Sequence, residues 1–118
     1  MDRRKQLKGM YKSMKPDMGV FIVKSNLGNK CHIEGTQNLK GAMNSTRFKL
    51  NLGSHPNKEL QKEWKEQGES AFSIEVLEYL KYDEDESKTD YGEELDILKM
   101  VWQENLSQKG IKFYKSTI

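Results

Sequence analysis

At 118 residues, with 35% hydrophobic and 32% charged side chains, the chain has room for one domain whose core needs neither disulfides nor metal staples. A single cysteine, Cys31, excludes an intramolecular disulfide, no apolar run approaches the roughly 18 residues of a membrane span, and the charged opening Met1-Asp-Arg-Arg-Lys lacks a signal peptide's apolar stretch, so a cytoplasmic location is expected. The net charge of +2 hides an asymmetry: residues 1–50 carry 11 Lys and Arg against 3 Asp and Glu (+8), and residues 51–118 carry 9 against 15 (−6), which suits either an anionic partner on the basic half or attraction between the halves.

Asp2 is placed to cap a first helix reaching about Met14, with Leu7, Met10, Tyr11 and Met14 on one stripe and Pro16 ending it. Beside that stripe Arg4, Lys8, Lys12 and Lys15 form a basic ridge, which is either a solvated face or a surface that tracks phosphates. Residues 20–23 are β-branched and aromatic, as in a strand covered on both faces. Residues 31–34 alternate like a half-exposed strand, and Ser25, Asn26, Gly28 and Asn29 between them predict a hairpin with a loop of four to six residues. Thr36 and Asn38 are candidate caps for a helix over residues 38–50, with Leu39, Ala42, Met43 and Leu50 inward and Lys40, Asn44 and Arg47 outward.

Gly53 and Pro56 mark a loop, and Pro56 and Asn57 start a helix that Gly68 ends, anchored by Leu60 and Trp64. Residues 72–80 predict a third strand, with Phe72, Ile74 and Val76 on one face; Leu77, Tyr79 and Leu80 break the alternation. The acidic stretch 81–90 lacks the glycine turn and terminal glutamate of a calcium loop and is expected to be solvated. A last helix over residues 91–106 carries Leu95, Leu98, Trp102 and Leu106 on one stripe, which Ile97 and Val101 are expected to widen. In the tail after Leu106, Ile111, Phe113 and Tyr114 suit a short docked segment.

Taken together and in order, this hairpin, the helix opening Thr36-Gln-Asn-Leu, the segment Leu52-Gly-Ser-His-Pro-Asn-Lys-Glu-Leu-Gln-Lys-Glu-Trp, the strand Phe72-Ser-Ile-Glu-Val and the Trp102 helix resemble the GIY-YIG nuclease family. Gly19-Val-Phe stands at the first motif and His32-Ile-Glu at the second. The resemblance implies an α/β (α+β) fold over residues 18–106, a three-stranded antiparallel sheet flanked by helices; the N-terminal helix expected in residues 1–17 is extra to it, and a tail in residues 107–118 follows. It also implies metal-assisted hydrolysis of DNA phosphodiesters, with two tyrosines orienting water, an arginine on the phosphate, an assisting histidine or tyrosine, and a glutamate on the divalent cation.

At those positions this chain has Phe21, His32, Ala42, Thr46 and Lys99. Of these only His32 retains a group able to act as a base near neutrality. Phe21 has no oxygen, Ala42 no charge, Thr46 is a poor base, and Lys99 repels the cation. The expectation is a catalytically degenerate, non-cleaving domain without a cofactor, which binds DNA or RNA through Arg4, Lys8, Lys12, Lys24, Lys40 and Arg47. One alternative is a working magnesium endonuclease with a rearranged site, using His32 with Asp96 as carboxylate and Arg47 as cation. Another is a protein-interaction module that binds no nucleic acid. His32 and Glu34 share a strand face and read as an ordinary surface pair rather than a metal site, because nothing in the sequence places His55 near them.

Overall fold

The apolar run that opens at Met18 becomes the centre of the sheet because it is covered from both sides. In the computed structural model, which describes residues 15–115, strand β1 (Met18–Ser25) is buried at every position but Lys24. A four-residue turn, 26–29, joins it to β2 (Lys30–Thr36) in an antiparallel hairpin that pairs Phe21 with Glu34 and Val23 with His32. Helices α1 (Leu39–Leu52) and α2 (Lys58–Gln67) follow, then a 3-10 turn (Glu69–Ala71), β3 (Phe72–Leu80), α3 (Gly92–Gln108) and β4 (Lys112–Phe113). The first helix expected from the sequence, with Arg4, Lys8 and Lys12, lies outside the described residues.

Alternation along β1 divides the core. Phe21 and Val23 point to one face and pack with Leu39, Leu50, Leu60 and Trp64 from α1 and α2. Val20 and Ile22 point to the other, where Cys31, Ile33 and Leu106 of α3 close a second apolar cluster. Burying one such large side chain stabilises by about 1.5–3 kcal/mol, so each helix is held mainly by its stripe on the sheet. Side-chain caps help: Asn38 Oδ1 accepts from Gly41 N at 3.0 Å, and Asn57 Oδ1 from Leu60 N at 3.1 Å.

The structure corrects two expectations. The sheet has four strands in the order β3-β1-β2-β4, not three, and its β2–β4 pair is parallel. After α3, Gly110 takes a left-handed turn (φ 82°) that returns the chain along the free edge of β2, where Lys112 N donates to Asn29 O at 2.7 Å and Tyr114 N to Cys31 O at 2.9 Å. A two-residue strand is too short for alternation to announce it. Ile97 and Val101 do not widen the buried stripe of α3; they are 56% and 49% exposed, because α3 meets the sheet along one narrow line through Leu95, Leu98, Trp102 and Leu106.

The broken alternation in β3 is a β-bulge. Val20 pairs with Glu78 and Phe21 with Val76, which leaves Leu77 as an extra residue. Beyond it every side chain changes face. Tyr79, opposite Gly19, joins the α1 side, whereas Glu78 reaches the α3 side and accepts a hydrogen bond from Trp102 Nε1 at 2.9 Å. Gly19 permits the crowding: a Cβ there would lie 2.0 Å from the Glu78 carbonyl oxygen.

Candidate active-site cleft

His32 and Glu34 alternate with the buried Cys31 and Ile33, so both project from β2 onto the face that carries Phe21 and Val23. Their side chains meet, His32 Nε2 to Glu34 Oε1, at 2.8 Å. That bond holds the Glu34 carboxyl below its ordinary pKa, against the opposing effect of burial.

The third member is the residue that sequence reasoning set aside. The loop between α1 and α2 delivers His55, 7% exposed, edge-on to His32 with ring centroids 5.4 Å apart. Its placement is built from helix-end bonds: His55 N donates to Gln61 Oε1 at 2.9 Å, Gln61 Nε2 donates to Leu50 O at 2.9 Å, and Asn57 N donates to His55 Nδ1 at 3.0 Å. The only sequence signal was positional: His55 lies two residues before the Asn57 cap, in a short loop joining two helices on the face that His32 occupies. Burial, then the neighbouring His32, push the His55 pKa down.

Lys99 and Gln103 of α3, Lys58 of α2 and Tyr114 complete a cleft of about 470 Å³ around these three groups. The other family positions fall differently. Phe21 is fully buried beneath the cleft, Ala42 packs against the same core, and Thr46 is buried at 5% exposure. Asp96 is exposed and lines neither this cleft nor the groove beside α1. Of the expected phosphate-binding cations, Lys40 and Arg47 line that groove, while Lys24 sits apart at the hairpin end of β1.

His32, Glu34 and His55 each offer a ligand atom within 4.8 Å of the others. Two imidazoles and a carboxylate suit a zinc-like ion better than magnesium, which prefers oxygen. The protons argue against either. A metal-bound imidazole ordinarily donates through its second nitrogen, but here Nδ1 of His55 accepts from Asn57, so the neutral ring carries its proton on Nε2. Coordination by His55 would require breaking that buried bond, next to the Lys99 ammonium, so a cation would bind here only at the cost of that bond.

A mixed sheet with two helices on one face and one on the other is similar in fold to a GIY-YIG nuclease catalytic domain. The catalytic domain of the homing endonuclease I-TevI superposes with a TM-score of 0.64 at 22% identity, covering 82% of this chain and 95% of that one. A variant of the same domain, described as that of the intron endonuclease I-TevI, gives 0.60 at 20% identity over 84% and 92%. No protein-family profile and no curated protein matches the sequence.

Proposed function

We propose that the chain is a nuclease-fold domain that binds nucleic acid without cutting it. The observation that carries this reading is the set of substitutions in and under the cleft: Phe21 and Ala42 are absorbed into the core, and Lys99 brings a positive charge to where the resemblance puts a metal-binding carboxylate. Loss of one fixed transition-state donor costs about 10²- to 10³-fold in rate, and here an arginine, a tyrosine and a metal ligand are replaced together. Lys40 and Arg47 remain exposed on α1 and retain the means to neutralise phosphates. The test is duplex binding at roughly 50 and 200 mM salt: a steep loss of affinity is expected, and binding that is flat or absent removes the nucleic-acid reading.

A second reading is favoured by the convergence of His55 on His32 and Glu34: a rebuilt hydrolytic site in which His32 acts as base. Glu34 would orient that base as a carboxylate orients a general-base histidine. Calorimetric titration with Zn²⁺, Mn²⁺ and Mg²⁺ separates the two. Stoichiometric binding lost in His55→Ala supports the second reading, and no saturable heat supports the first.

A further inference from the structure

A second concavity lies at the opposite edge of the sheet and shares no lining residue with the cleft. It is a groove of about 640 Å³ between α1 and the edge strand β3, with Lys15, Lys40 and Arg47 on its walls together with Asn44, Val76 and Tyr79. One acidic side chain, Asp17, also lines it, leaving the cations in excess. Arg47 is half exposed and pairs with Glu69 at 3.4 Å, a surface contact that water and salt screen. Tyr79 is 61% exposed, and it faces the groove only because the Leu77 bulge turns it there. Were the same sequence paired without the bulge, Leu77 would lie opposite Val20 and Glu78 opposite Gly19, and the groove would present a carboxylate in place of an aromatic ring.

We infer that this groove binds single-stranded nucleic acid, with an unpaired base stacked on Tyr79 and the flanking phosphates on Lys15, Lys40 and Arg47. The inference rests on the nucleic-acid reading above and deepens it by naming the site and the strandedness. A solvent-exposed aromatic among cations is the arrangement by which proteins hold single strands without reading sequence: every base has a face to stack, and every linkage carries a charge. A paired base keeps its faces inside the helix and offers nothing to Tyr79, so a duplex can use only the cations.

The experiment is fluorescence-anisotropy titration of the full chain with a labelled oligothymidylate of about a dozen nucleotides, and with a duplex of equal length. The single strand is expected to bind more tightly. Tyr79→Ala should weaken it roughly 5- to 150-fold and leave the duplex unchanged, while Tyr79→Phe, which keeps the ring, should bind like the parent and control for folding. Lys40→Ser with Arg47→Ser should weaken both ligands and flatten the salt dependence for the single strand by about 0.7 per phosphate contact removed. Salt-dependent binding that ignores Tyr79, or that favours the duplex, overturns the inference alone. Absence of salt-dependent binding to either ligand overturns it together with the reading beneath it.

Discussion

The two concavities at opposite edges of the sheet use their polar groups in opposite ways. In the cleft, Glu34 accepts from His32 and His55 accepts from Asn57, while Gln61 behind it bonds both to the loop and to α1, so much of the hydrogen-bonding capacity of the cleft's histidines and carboxylate is spent within the protein. In the groove, Lys40, Arg47 and Tyr79 stand exposed on α1 and β3. On the proposed reading, the contrast would mean that a nuclease-like pocket need not be the binding surface: where its histidines and Glu34 bond to the protein itself, it helps hold the fold together, and an open cationic groove would be the better partner for an anion.

Several perturbations sharpen that contrast. The largest concerns the core that both concavities share: Trp64 stacks on Phe72 at 5.0 Å and donates from Nε1 to Asn51 Oδ1 at 2.9 Å. Trp64→Ala should cost about 3–5 kcal/mol in urea denaturation and weaken cleft and groove alike. Next is His55→Ala, which leaves the Asn57 amide without its acceptor. It should cost about 1–3 kcal/mol of stability and leave oligonucleotide affinity unchanged; a large loss of affinity would return the binding site to the cleft.

Acid should distinguish the two regions again. His55 has a folded pKa depressed by burial, so its contribution is complete above the unfolded value of about 6.5 and declines as pH falls below it. Glu34, also depressed, adds a further loss below about 4.5. Melting temperature should therefore drop in two stages on acidification, and His55→Ala should remove the first. Affinity measured between about pH 8 and 7 should be nearly constant, because no histidine lines the groove. The smallest effect is chemical. Burial pushes the Cys31 thiol up to about 11, so native protein should react far more slowly with a thiolate-directed reagent at pH 8 than unfolded protein does.

Much of this architecture was legible in residue order. The apolar run of β1, the alternation at Cys31 to Glu34, the Asn38 and Asn57 caps and the Leu60–Trp64 pair are local signals, and the structure uses each as its chemistry suggests. What was not legible depended on distance. The two-residue strand β4 exists only because β2 offers it a free edge. The approach of His55 to His32 depends on a loop bolted between two helices, and the exposure of Ile97 and Val101 on how narrowly α3 meets the sheet. Tyr79 lies between these cases: the sequence announced a break in alternation, and only the pairing register identified it as a bulge that turns an aromatic ring toward the basic groove.

The central claim, that this nuclease fold holds nucleic acid without hydrolysing it, is tested most directly by incubating supercoiled plasmid with a molar excess of the protein and Mg²⁺ or Mn²⁺, at low salt where binding is saturated. The account predicts retarded but fully supercoiled plasmid. Metal-dependent nicking that disappears in His32→Ala would contradict it.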